Sequence, residues 1–200
     1  MAIRKIAQMG EPVLREVARP LEPEEILSPM VQSLVDDMID TMRDADGAGI
    51  AAPQVYESIR VCIMEIGRNP RYPTMPALPL TVLVNPVVTP LVPNPSAPAD
   101  HDSVVMYEGC LSVAGIRGMV RRPRHVRVKA LDRAGAPFEL VLEGPLASVI
   151  QHECDHLDGI LYVDRADPRS LTFLREYERH VPLAERVRDV GAKDHATETR

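Results

Sequence analysis

Apolar residues recur at three- and four-residue steps through Met30, Val31, Leu34, Val35, Met38, Ile39 and Met42, the spacing of one face of a helix. Ser28 and Pro29 stand just before them. Serine can cap free backbone N–H groups, and the fixed φ of proline suits the first helical position. The pattern therefore predicts an amphipathic helix ending near Asp46-Gly47, with its methionines as core filler. Ile59 to Ile66 and Leu80 to Val88 are rich in β-branched residues and bounded by Gly or Pro, so both read as strands. Arg124 to Leu131 alternates Val126, Val128 and Ala130 with basic residues, and Phe138 to Leu142 follows a turn at residues 132–135, completing a hairpin. Gly144-Pro145 opens a second helix that runs to about Leu157, with Gly159 as its stop. Asp167-Pro168 opens a third, carrying Leu171, Leu174 and Tyr177 on its apolar side and ended by Pro182. Strands first and mainly helices later give an α+β class: antiparallel β-sheets around a central helix, with an N-terminal and a C-terminal helix. The expected organisation is a single catalytic domain over residues 1–190 and a flexible tail over 191–200.

Composition narrows the function classes. A chain of 200 residues fits one domain and buries a sizeable core. Its 23 Lys plus Arg against 29 Asp plus Glu leave a net charge of −6, which argues against stable nucleic-acid binding through phosphates. No apolar run is long enough to span a membrane, and the start, Met-Ala-Ile-Arg-Lys-Ile, lacks the apolar core of a signal peptide, so the cytoplasm is the expected location. Cys62, Cys110 and Cys154 are an odd set at wide spacing, which favours metal or catalytic use over a disulfide framework. Proline is over-represented: nine of the 19 fall between Pro70 and Pro98. They predict stiff, irregular surface loops.

The chemistry concentrates in the second helix, where Gln151-His152-Glu153-Cys154-Asp155-His156 contains an H-E-x-x-H motif. At about 100° per residue the two imidazoles lie about 40° apart and can share one ion. Cys154 points about 180° away from them, as apolar filler, while Glu153 lies about 80° from their midpoint, where a general base belongs. A catalytic metal generally needs a third protein ligand. A third histidine of the metzincin kind is absent, since Tyr162 stands at that position. Glu176 or Glu178 could serve as in a thermolysin-like peptidase. Cys110, in Glu108-Gly109-Cys110-Leu111-Ser112, is the remaining candidate. A non-enzymatic, metal-stabilised peptide-binding module is a further alternative, weakened by Glu153 and Gln54, which structural zinc does not need. A third stretch, Gly47-Ala48-Gly49-Ile50-Ala51-Ala52-Pro53-Gln54, offers small residues that let a peptide backbone approach and an amide able to face an oxyanion.

Taken together, Gly47 to Gln54, Glu108 to Ser112 and Gln151 to His156 resemble, in order, the three signatures of the peptide deformylase family. The resemblance runs from about Ile3 to about Arg165. It implies a metal-dependent hydrolase that removes the N-formyl group from the initiator methionine of new polypeptides and releases formate. By position, Cys110, His152 and His156 would bind one divalent metal, Fe(II) natively, with Zn, Ni or Co as substitutes, and Glu153 would handle protons. Gln54 and the backbone N–H of Leu111 would form the oxyanion hole, and backbone groups of Gly49 and Gly109 would grip the N-formylmethionyl nascent peptide. Ser148 and Val149 precede His152 by four and three residues and would border the methionine pocket. Ala48 and Ser148 stand where many bacterial relatives carry larger apolar residues, so that pocket is expected to differ. Some relatives dock on the ribosome through a basic C-terminal extension. From Ile160 to Arg200 this chain has eight basic and eight acidic residues, which leaves room only for a transient ribosome contact.

Overall fold

The computed structural model describes residues 2–67, 75–91, 102–182 and 186–190. The stiff loops expected around Pro70, Pro73, Pro93, Pro95 and Pro98, and the tail 191–200, lie outside the described residues, whereas Pro79, Pro86 and Pro90 lie not in loops but within a strand running from Leu78 to Pro90. In chain order the elements are α1 (Pro23–Ile26), α2 (Pro29–Asp44), β1 (Gly49–Ala51), β2 (Val61–Ile66), β3 (Leu78–Pro90), β4 (Ser103–Cys110), β5 (Val113–Pro123), β6 (His125–Leu131), β7 (Pro137–Glu143), α3 (Gly144–Leu157), β8 (Thr172–Phe173), α4 (Leu174–His180) and β9 (Val187–Val190). One antiparallel sheet has the order β1-β2-β3-β6-β7, the other β8-β5-β4-β9. Helix α3 packs against strands of both. Among the described residues no helix is long and apolar enough to cross a membrane.

The first sheet is covered on both faces, and β2 shows how. Val61 and Ile63 join Leu34, Val35, Met38 and Met42 of α2 in one apolar cluster. Cys62 and Met64, pointing the other way, join Ala147, Ile150, Cys154 and Leu157 of α3 in a second. Side chains alternate across a strand, so a strand sandwiched between two helices must be apolar at nearly every position. That is why residues 61–64 read as a continuous apolar run. Cys154 accordingly sits as core filler beside Cys62, not at the face bearing the histidines. A third cluster joins Ala7 and Leu14 to Cys110, Val113 and Val120 of β4 and β5 and to Tyr162.

Local sequence sets the helix bounds. Ser28 Oγ accepts a hydrogen bond from the Val31 N–H (3.3 Å) with Pro29 at the first turn of α2. Pro145 opens α3, and just beyond its end Gly159 adopts φ +71°. There a Cβ would come within 2.7 Å of the Arg15 carbonyl oxygen, so the N-terminal segment packs against a turn that only glycine fits. The Gly109 region also departs from regular pairing. Between Glu108 and Cys110 the β4–β5 register shifts, the kind of bulge that re-aims a side chain.

The third helix is corrected. Asp167 caps only a single 3-10 turn at Pro168–Ser170, accepting from the Arg169 N–H (2.9 Å). Thr172 and Phe173 then pair with Arg117 and Ile116 of β5, and α4 begins at Leu174. Edge pairing with β5 overrides helical continuation, leaving Leu171 42% exposed outside the helix while Tyr177 is buried on it.

Gly159→Ala should lower stability by about 2 kcal/mol or more, because left-handed backbone alone costs a non-glycine residue roughly 1–2 kcal/mol and the Arg15 carbonyl must also retreat. Urea unfolding checks it: the midpoint should fall at an unchanged m-value.

Candidate functional site

The motif helix α3 and the bulged end of β4 meet at the floor of a cleft of about 610 Å³, including its open mouth. From α3 come His152, Glu153 and His156, all buried, and from β4 comes Cys110. The ligand atoms of Cys110, His152 and His156 lie within 4.8 Å of one another, and Cys110 Sγ is 3.2 Å from His156 Nε2. Those separations suit an ion held by bonds of about 2.0–2.3 Å. Glu176, by contrast, is a surface residue on α4 whose carboxylate lies 3.3 Å from His180, and Glu178 is exposed. Tyr162, in the position of a third histidine, instead lays its ring against that of His152, centroids 6.0 Å apart and 24° from parallel.

Charge and hydrogen bonding prepare this donor set. His152 Nδ1 lies 2.8 Å from Glu108 Oε2, so the imidazole is fixed with its other nitrogen toward Cys110 and His156. Burial works against a thiolate at Cys110, yet the charge of His156 and hydrogen bonds from His152 and His156 hold the thiol well below its usual range. Burial likewise opposes a charged His152, but Cys110 and Glu108 lift it well above the ordinary imidazole range. An anionic sulfur with two imidazoles is a fit for a borderline divalent ion. Glu153, which lines the cleft, has a buried oxygen, Oε2, with no hydrogen-bond partner among the described residues, which is what a site built for a further ligand or water looks like.

Glu108 is itself anchored. Arg122, 3% exposed, donates from Nε to Oε1 (2.6 Å) and from Nη2 to Oε2 (3.0 Å). Its Nη1 reaches across to Asp155 Oδ2 on α3 (2.8 Å), and Arg165 clamps Asp155 from outside with two bonds of 2.7 Å. Burial disfavours the Glu108 anion, but the hydrogen bonds from Arg122 and His152 bring its carboxyl down to about 2. Arg122 was not singled out from the sequence. The available signal is its parity with Val120 on β5, which puts it on the inward face, though alternation alone does not distinguish a buried arginine from a surface one.

The remaining expected residues divide. Gly49, Gly109, Leu111, Ser148 and Val149 all line the cleft together with Glu153. Gln54 lies behind that lining: its Nε2 donates to Ser112 Oγ (3.1 Å) and to Cys110 Sγ (3.5 Å), and its Oε1 accepts from the Ala51 N–H (2.9 Å). The glycines have a reason the sequence did not reveal. A Cβ on Gly49 would stand 2.5 Å from Glu153 Oε1, and one on Gly109 would stand 1.8 Å from Arg117 Nη1. Both positions are thus already filled by a functional-looking side chain of this chain itself. Burial pushes the Glu153 carboxyl up to about 7, against the pull of the two imidazoles.

Comparison with known proteins identifies the family. Residues 3–171 match the family model described as polypeptide deformylase. A peptide deformylase of Leptospira biflexa is 43% identical over 166 residues, covering 82% of this chain and 88% of that protein. Peptide deformylase 1 of Bordetella pertussis is 45% identical over 163 residues, covering 82% and 87%. Among solved structures, the Met-Ala-Ser-bound class I type b peptide deformylase from Acinetobacter baumannii superposes with a TM-score of 0.74 at 40% identity, over 82% of this chain and 98% of that one. The peptide deformylase of Thermotoga maritima gives 0.70 at 33% identity, over 84% and 100%.

Arg122→Met should destabilise the protein by about 3–5 kcal/mol, since it leaves Glu108 and Asp155 as buried charges short of their counter-ion. In a double-mutant cycle, Glu108→Gln should cost much less in the Arg122→Met background than in the parent, as read by urea midpoints. Additive costs would show that the pair does not interact.

Proposed function

The chain belongs to the polypeptide deformylase family, and on that premise we propose that it hydrolyses the N-formyl group of N-terminal formylmethionine, leaving a free α-amine and formate. The observation that supports this most directly is the meeting, in one cleft, of a Cys-His-His donor set with the buried carboxylate of Glu153. Cys110, His152 and His156 would hold one divalent ion, which when bound polarises a carbonyl and makes water acidic enough to lose a proton near neutral pH. Glu153 would take the proton of the attacking water as the new C–O bond forms, then deliver it to the amine nitrogen as the C–N bond breaks. Its carboxyl, lifted to about 7 by burial, suits a group that must both accept and return a proton.

The backbone N–H of Leu111 and the side-chain amide of Gln54 would meet the oxyanion. To do so Gln54 would turn one N–H from Cys110 toward the cleft. Backbone groups of Gly49 and Gly109 would hold the peptide in extended form, and Ser148 and Val149 would border the methionine side chain. A thiolate with two imidazoles suits Fe(II), Zn, Ni or Co; we take Fe(II) as the native ion, following the family resemblance. The substrate class is N-formylmethionyl nascent peptides, in keeping with the relative bound to Met-Ala-Ser, with a transient ribosome contact and the cytoplasm as the place of action.

Formate release from formyl-Met-Ala-Ser by anaerobically purified protein tests the reaction: formate without internal peptide cleavage is expected, and internal cleavage would indicate a peptidase instead. Glu153→Gln should retain metal and bind a hydroxamate chelator, yet lose about 10²- to 10⁴-fold in kcat. Turnover within a few-fold of the parent would remove Glu153 from the proton path. Elemental analysis addresses the ligands: the parent should carry iron, Cys110→Ser should lose most of it, and Glu176→Ala should not. Full metal in the Cys110 variant would overturn the ligand set.

A further inference from the structure

The Glu108 carboxylate accepts four hydrogen bonds. Two come from Arg122 and one from His152 Nδ1, as described above. The fourth comes from Ser148, whose Oγ donates to Oε1 at 3.1 Å. Two carboxylate oxygens offer about four lone-pair sites, so Ser148 fills the last acceptor position of a group that is itself 5% exposed. Ser148 stands one turn before His152 on α3 and is 1% exposed. Its hydroxyl therefore faces the carboxylate that orients a ligand, and the residue also lines the cleft.

We propose that Ser148 is a positioning residue for the metal centre: its hydroxyl locks the Glu108 carboxylate in the rotamer that holds His152 and so sets how firmly the ion is retained. The physical argument is one of buried acceptors. With the hydroxyl gone, Oε1 keeps one donor, Arg122 Nε, and Oε2 keeps two. The carboxylate can then rotate to even out the shortage, and His152 Nδ1 is the partner it can most easily shift, because Arg122 is fixed at its far end by Asp155. Outer partners of metal-bound histidines typically contribute about 10- to 100-fold to metal affinity or activity. The same hydroxyl ties the cleft wall next to the substrate to the metal centre, so a change at position 148 reaches both. This inference rests on the deformylase reading for the identity of the site, but it is a statement about metal retention.

The test compares Ser148→Thr with Ser148→Val, two side chains of nearly equal shape that differ in the hydroxyl. Each protein is loaded with Co(II), and transfer of the ion to EDTA is followed through the cobalt absorption bands. The threonine variant should release Co(II) at close to the parent rate with the parent spectrum. The valine variant should release it about 10-fold faster or more, with shifted ligand-field bands. A purely structural role for Ser148 would not separate the two spectra. Equal release rates within two-fold and identical spectra for Thr and Val would overturn the proposal. Should the valine variant fail to fold, Ser148→Ala against the parent decides by the same two-fold criterion. The outcome is independent of turnover. A parent that retains Co(II) but releases no formate defeats the proposed reaction and leaves the Ser148 test in force, whereas normal deformylation with equal release rates defeats only the Ser148 role.

Discussion

The carboxylate of Glu108 ties helix α3 to the strands β4 and β5. It sits near the end of β4, receives Arg122 from the neighbouring strand, and receives His152 and Ser148 from the helix packed beneath. A buried anion is costly unless all of its acceptor positions are filled, so its presence dictates the rest. The arginine must be inward on β5, the helix must present a donor on the same face as its metal ligand, and Asp155 must balance the remaining charge of the arginine. Arg165 then completes the set from the surface. Loss of Arg122 leaves two buried carboxylates short of their counter-ion.

Against this stands Glu153, a second buried carboxylate in the same cleft with the opposite surroundings. Glu108 has four donors and is brought down to about 2, while Glu153 has an oxygen without a donor among the described residues and is raised to about 7. One carboxylate is kept as a fixed charge and the other is raised toward neutral pH, as the proposed proton carrier requires. Environment, not residue type, separates the two roles. Gly49 takes part in this division: by having no side chain it concedes the space that the Glu153 carboxylate occupies.

What could be read from the chain depended on how local each signal was. Helix α3 and the β6–β7 hairpin are specified by contiguous patterns with clear start and stop residues, and the structure has them as expected. The H-E-x-x-H pair is equally local. Residues 167–173 misled because Asp167-Pro168 is a genuine capping signal, but it is overruled by β5, which lies more than fifty residues earlier and supplies partners for Thr172 and Phe173. Arg122 is invisible for a related reason. Its burial is tolerable only because of Glu108 and Asp155, and no periodicity within β5 carries information about either. The glycines were seen as open space for a substrate, since a sequence shows a missing side chain but not which neighbour fills the gap.

The ligand set also binds the fate of the fold to its ion. Cys110 and His156 are 46 positions apart in the chain, on a strand and a helix that meet only in the folded protein. An unfolded chain therefore offers no assembled site, and any ion held there belongs to the native state alone. By mass action such a ligand deepens the native well, by about 2.7 kcal/mol when free metal stands at 100 times its dissociation constant. The supply of metal thus bears on how stable the folded protein is as well as on how fast it works.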